Sequence, residues 1–275
     1  MPEGDTLWQA AARLHAALAG QVVVRFASPL PELKEREVEG RRIVRVRAHG
    51  KHVILELDDG RALLTHLRMQ GRWSVQQKPD LSARLLERAR REPRWDDPNT
   101  TLVLETESAL ALLERAALAE LAPLASIERK LQSLGPDLLS NDFDLDEARQ
   151  SLRSRPELTI AEALLVQSLV AGVGNVYKSE VLFLEKVCPF RLVSELDDAT
   201  LSRVLRRARE LMRRNLRGPR RTTTGSFAGT PYYVYERSGQ HCLKCDTTIR
   251  MQRQGALQRS TYYCPDCQAV PSAAG

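Results

Sequence analysis

The chain has 275 residues, 43% of them hydrophobic and 28% charged, enough to bury a sizeable core and to exclude a disordered or peptide-scale protein. No apolar run reaches the roughly 18–20 residues that a membrane span needs, and no basic region with an apolar stretch opens the chain, so a cytoplasmic protein is expected. The formal charge of +6 is uneven: from Thr200 to Gly275 there are fourteen Lys/Arg against four Asp/Glu. Such an excess suits a polyanionic partner, because phosphate contacts by Lys and Arg release condensed counterions; a merely solvated basic helix, Arg203 to Arg214, is the alternative on charge alone.

After Pro2-Glu3-Gly4-Asp5, the residues Leu7, Ala11, Leu14 and Leu18 share one face and predict a helix that Gly20 stops. From Val22 to about Val75 the period changes to two. Short runs holding Ile43, Val53, Leu55, Leu57 and Leu63, broken by Asp58-Asp59-Gly60, predict antiparallel strands. Thr101–Glu105 and Ala109–Leu113 extend the same system, giving a two-layer β-rich domain over residues 2–120. The polar, Arg-rich stretch Lys78–Asn99 reads as a surface insertion. Beyond Pro123, amphipathic segments near Asp144–Leu152, Thr159–Leu169, Val176–Val187 and Ala199–Leu216 predict a compact helical domain over 121–219. Residues 220–269 hold a Thr- and Gly-rich linker, Arg220–Gly229, and then short strands around cysteine pairs. Ala269–Gly275 is expected to be a loose tail.

Five cysteines in a chain with no export signal point to metal or buried thiols rather than disulfides. Cys242-x2-Cys245 and Cys264-x2-Cys267 flank eighteen residues, the pattern of one tetrahedral structural zinc with a hairpin between its knuckles. With four thiolates bound, no position is left for a water or substrate, so metal catalysis is not implied. The hairpin carries Arg250, Arg253, Arg259, Tyr262 and Tyr263, a set suited to a phosphate backbone; a protein-contacting ribbon is the other reading. Cys188 stands apart and is expected to be a small buried packing residue.

Ala171-Gly172-Val173-Gly174-Asn175 lies between an apolar helix ending near Val170 and a second helix that Asn175 can cap. Exposed N–H groups at such a helix start form a natural phosphate site, although a plain helix–helix connection has the same residues.

Taken together, Pro2-Glu3-Gly4, Gly50-Lys51-His52, Thr65-His66-Leu67-Arg68-Met69 with Gly71, and Leu134-Gly135-Pro136-Asp137 form a recognisable series. It continues through Gly172-Val173-Gly174-Asn175-Val176-Tyr177-Lys178-Ser179-Glu180, Val234-Tyr235-Glu236-Arg237 and Gln258-Arg259-Ser260-Thr261-Tyr262-Tyr263-Cys264. The chain thereby resembles the formamidopyrimidine-DNA glycosylase and endonuclease VIII family over almost its whole length.

The resemblance implies an α+β multidomain fold: an N-terminal β-sandwich with flanking helices, a central helix-two-turn-helix domain and a C-terminal β-hairpin zinc finger. It also implies a bifunctional DNA glycosylase and abasic-site lyase of base excision repair, acting as a monomer on damaged double-stranded and abasic-site DNA. The implied catalytic residues are Pro2, Glu3, Lys51 and Arg259. Those implied to touch DNA are Arg68, Met69, Asn175, Lys178 and Arg253, with Met69 filling the void left by a rotated-out base and Arg259 on the flanking phosphate. The residue chemistry fits. With Met1 removed, Pro2 is a secondary amine whose adduct with sugar C1′ is a cationic iminium without further protonation. An α-amino group, with a pKa of about 8 against about 10.4 for Lys, is also far more often the neutral nucleophile. Glu3 can move protons during ring opening and elimination. A base stacked in a duplex cannot be attacked at C1′ without rotating out.

Departures from the family pattern are Asp5-Thr6 in place of Pro-Glu, and no Arg-Arg-Phe-Gly-like loop in the Lys78–Thr101 stretch. Gly4, and the short span from Gly225 to Tyr235, favour the endonuclease VIII side and hence oxidised pyrimidines. The competing expectation from another class is a non-catalytic zinc-ribbon protein that binds damaged DNA.

Overall fold

The computed structural model describes residues 2–34, 37–78, 99–218 and 220–269. Contacts divide the chain into two compact units, Met1–Ser133 and Leu134–Gly275.

The first unit begins with α1 (Gly4–Leu18), whose Leu7, Ala11, Leu14 and Leu18 are buried as their spacing demands; Gly20, at φ 80°, then turns the chain out of the helix. Eight strands follow, joined by short turns apart from a four-residue helix α2 (Pro31–Lys34) and the 79–98 stretch: β1 (Val23–Ala27), β2 (Ile43–His49), β3 (His52–Leu57), β4 (Arg61–His66), β5 (Arg72–Gln77), β6 (Thr100–Thr106), β7 (Ala109–Glu114) and β8 (Leu118–Pro123). They form two antiparallel four-stranded sheets, β1-β6-β7-β5 and β2-β3-β4-β8. Ile43, Val53, Leu55, Leu63, Leu102, Leu104 and Leu113 interdigitate between them, and α1 closes the same core. Strand β8 runs past residue 120, and helix α3 (Leu124–Leu131) ends the unit. Most of the insertion expected over Lys78–Asn99 lies outside the described residues, as do the missing Arg-Arg-Phe-Gly-like loop and nearly all of the Ala269–Gly275 tail.

The second unit holds α4 (Leu145–Arg153), α5 (Ile160–Ala163), α6 (Asn175–Leu184) and α7 (Asp198–Asn215), followed by a hairpin of β9 (Arg250–Gln254) and β10 (Arg259–Tyr263). Asp144 and Asp197 cap α4 and α7 through their carboxylates. The helix expected over Thr159–Leu169 is corrected to the single turn of α5, capped by the Thr159–Glu162 box. Gln167 explains the early stop. Its side-chain amide donates to the carbonyls of Leu165 and Val173 and its oxygen accepts from Gly172 N, while its own carbonyl accepts from Gly135 N. Those bonds fold the segment around the glycine loop instead of continuing a helical ladder. At Gly135 a Cβ would collide with the Leu169 backbone, so only glycine fits this crossing. The Arg220–Gly229 linker is well tied: Thr222 and Thr223 are buried and bond to Asn215, Pro231 and Glu180. Cys188 is half-buried rather than buried.

Candidate active site and nucleic-acid interface

In the first unit, strand register brings two candidate segments to one sheet end. His49 pairs with His52, and His52 with His66, so the Gly50-Lys51 turn and the turn after β4 lie at the same end of β2-β3-β4. That second turn carries Arg68 and Met69. Both are exposed, Met69 at 61%, so this methionine is not part of the strand core. Arg68 adopts φ 48° and donates its N–H to His66 Nδ1 at 3.0 Å, holding the tip in a tight loop. Gly71 closes it, since a Cβ there would lie 2.6 Å from the Leu67 carbonyl oxygen.

A cavity of about 390 Å³ is lined by Thr6 and Ala10 of α1 together with Leu67, Gly71 and Trp73, which places the N-terminal turn of α1 beside the Met69 loop. Just before that turn stand Pro2, half-buried, and Glu3, fully buried, whose carbonyl starts the helix by accepting from Thr6 and Leu7. Asp5, where the family pattern has proline, is buried and accepts from Thr6 N at 2.8 Å, a favourable charge at a helix N-terminus.

Sequence reasoning passed over three imidazoles surrounding Lys51. The rings of His52 and His66 meet edge to face, with centroids 5.0 Å apart. Burial, then the His66 ring, push the His52 pKa from 6.5 down to about 4; burial, then Lys51 and Arg68, lower that of His66. Both are therefore neutral near pH 7, leaving Lys51 and Arg68 as the positive charges of this sheet end. The signal was there in the alternation of His49, His52 and His66 about the strand ends, but pairing register is needed to read it.

In the second unit, Asn175 is the first residue of α6 rather than its cap. Gly174 occupies the cap position, and the Asn175 side chain is turned to other partners: its amide donates to Ser260 Oγ at 3.0 Å and its oxygen accepts from Lys178 Nζ at 2.7 Å. Lys178 is buried, its ammonium also donating to Ser260 O at 2.9 Å and Thr261 Oγ1 at 2.8 Å. Three acceptors match its three protons. Both residues thus hold β10 against the start of α6. Arg253 and Arg259 are exposed on the two hairpin strands, with Arg253 donating to Gln258 O at 3.1 Å across the turn.

Sγ atoms of Cys242, Cys245, Cys264 and Cys267 all lie within 4.8 Å of one another, with close pairs at 3.4 to 3.9 Å. Tetrahedral zinc with Zn–S bonds of about 2.3 Å requires sulfur separations near 3.8 Å, so these four residues fit one structural ion. Hydrogen bonds from the Thr247 backbone and hydroxyl lower the Cys245 thiol, whereas burial raises those of Cys264 and Cys267.

Residues 1–115 match the formamidopyrimidine-DNA glycosylase N-terminal domain, 134–226 the formamidopyrimidine-DNA glycosylase H2TH domain, and 239–270 a zinc finger found in FPG and IleRS. The chain is 38% identical to a probable endonuclease 8 2 of Streptomyces coelicolor, over 99% of this chain and 95% of that one. It belongs to the formamidopyrimidine-DNA glycosylase family. Within the family it is also 33% identical to the DNA-(apurinic or apyrimidinic site) lyase Nei2 of Mycolicibacterium smegmatis, over 98% and 100% of the two chains. Its similarity to a formamidopyrimidine-DNA glycosylase of Herpetosiphon aurantiacus is 32% over 87% and 86%. Among solved structures, Lactococcus lactis formamidopyrimidine-DNA glycosylase bound non-covalently to DNA containing an abasic site superposes with a TM-score of 0.79 at 23% identity, covering 98% and 100%. The fold of this family member is therefore the expected one: β-sandwich, helical H2TH domain and zinc finger.

Proposed function

We propose that this chain is a bifunctional DNA glycosylase and abasic-site lyase of base excision repair that works through the nitrogen of Pro2. What supports the reading is that the Lys51 turn and the exposed Met69 loop lie at one end of a sheet in one unit, while Thr6 of the helix that Pro2-Glu3 precedes lines a cavity with Leu67 and Gly71 on either side of Met69. A nucleophile, proton-transfer groups and an apolar wedge are what excision from a duplex requires. Full-length similarity to proteins named endonuclease 8 and abasic-site lyase supports the same activities.

In this mechanism Met1 is absent and the Pro2 nitrogen attacks C1′ of an extruded nucleotide. The N–C1′ bond forms, the glycosidic bond breaks, and the base leaves with a proton. Glu3, buried at the root of the same turn, assists ring opening. Loss of the C2′ proton then sends electrons into the iminium and expels the 3′ phosphate; a second elimination releases the 5′ phosphate. Lys51 and Arg259 contact phosphates and assist these proton transfers. Arg68, Met69 and Arg253 engage the duplex, and Asn175 with Lys178 fixes the hairpin and its phosphate-facing helix start. The protein acts as a monomer in the cytoplasm, close to the nucleoid; among the described residues no helix is long and apolar enough to cross a membrane.

Oxidised pyrimidines are the preferred substrates, on the strength of the full-length endonuclease 8 similarity and the short, tied segment between Gly225 and Tyr235. Duplexes bearing either dihydrothymine or 8-oxoguanine, incubated with the protein and resolved on denaturing gels, test this. Base release with strand cleavage at dihydrothymine, at least about tenfold faster in kcat/KM than at 8-oxoguanine, is expected, a difference of about 1.4 kcal/mol in transition-state binding. The reverse order would overturn the pyrimidine preference.

A further inference from the structure

Helix α6 buries a second ion besides Lys178. Glu180 is fully buried, and its carboxylate accepts the backbone N–H groups of Tyr233, Val234 and Tyr235, each at 2.8 Å, together with the Thr223 hydroxyl. A buried carboxylate costs several kcal/mol unless its lone pairs are met, and an apolar residue of similar size would support folding as well. What an apolar residue cannot do is aim three consecutive N–H groups at one point, which fixes the path of the backbone at residues 233–235.

That path leads into the zinc module. The Tyr235 ring rests edge-on against Tyr262 of β10, with centroids 5.3 Å apart, and Tyr262 N lies 3.4 Å from Ser179 Oγ, the neighbour of Glu180 on α6. Arg259 opens the same strand, three residues earlier. Asn175 and Lys178 of the same helix grip Ser260 and Thr261, so Asn175, Lys178, Ser179 and Glu180 together set both the entry to the module and the strand that carries Arg259.

We propose that Glu180 is a positioning residue for Arg259, acting through Tyr235 and Tyr262 to hold the zinc hairpin where that arginine can grip a phosphate. The inference rests on the reading of Arg259 as a phosphate contact. It separates two tasks within the second unit: the four cysteines staple the hairpin to itself, and the Glu180 clamp fixes its bearing on the helical scaffold.

The test uses the full-length, zinc-loaded protein and a duplex with one abasic site made by removing uracil, with KM and kcat measured for strand cleavage. Glu180→Gln presents an amide NH2 to groups that are all donors, and should raise KM about tenfold, the range of one phosphate contact, and lower kcat by no more than Arg259→Ala alone does, while zinc content stays close to wild type. Arg259→Ala added to it should raise KM by less than about twofold more, because the arginine is already misplaced. Thr223→Val removes one donor only and should give a smaller rise with the same lack of additivity; it carries the test if the Gln variant does not fold. Multiplying effects of Glu180 and Arg259 changes, or an unchanged KM in the Gln variant, would overturn the inference while the glycosylase reading stands. A wild-type protein that forms no borohydride-trapped adduct with this duplex would overturn both.

Discussion

His52 illustrates how single residues carry both stability and function here. Its folded pKa of about 4 lies below the unfolded value of 6.5, with burial the main cause and the neighbouring His66 the second. As pH falls through 6.5 the unfolded chain takes up a proton that the folded chain refuses until about pH 4, so this group removes stability on acidification across that window. The loss from this one residue is roughly 3 kcal/mol at most, given its deep but incomplete burial. Urea unfolding at about pH 7 and about pH 4.5 should therefore show a marked fall for wild type and a shallower one for His52→Gln, with identical slopes contradicting the assignment. The four cysteines could be found from sequence because their chemistry is local, two thiol pairs at zinc spacing. The imidazole cluster could not, because it is assembled by strand pairing.

At the scale of elements, α1, the strands up to β7 and the zinc hairpin were readable from period and punctuation, whereas β8 and α3 were not. The Thr159–Leu169 helix was not, because Gln167 diverts the backbone into bonds with Gly135, Gly172 and Val173 that no periodicity records. The role of α6 was also hidden. Its sequence quotes the family pattern, but Lys178 and Glu180 each bond to partners more than forty residues away that no local pattern records. The hairpin offers the sharpest element-level prediction. Cys245→Ser removes one of four converging thiolates, so it should lose the zinc and weaken binding to an abasic-site duplex at least about tenfold, read by metal analysis and a fluorescence anisotropy titration. Retained zinc together with unchanged affinity would contradict the structural role of the cluster.

For the molecule as a whole, the candidate chemistry is divided between the two compact units. Pro2, Glu3, Lys51, Arg68 and Met69 belong to the first, and Asn175, Lys178, Arg253, Arg259 and the zinc site to the second. Each unit has its own core, and in the proposed function the substitution at C1′ falls to the first and the phosphate contacts to the second. Motifs in both units agree on family and fold, whereas no pair of motifs in the two units speaks to lesion preference.

In the proposed function the covalent bond to DNA is made by the nitrogen of Pro2. Borohydride reduction of the protein on an abasic-site duplex, followed by protease digestion and mass analysis, reads the attachment point directly. The sugar remnant is predicted on the peptide that begins at Pro2, with the adduct abolished in Pro2→Gly; a remnant on Lys51 or another lysine, with Pro2 unmodified, would contradict the account.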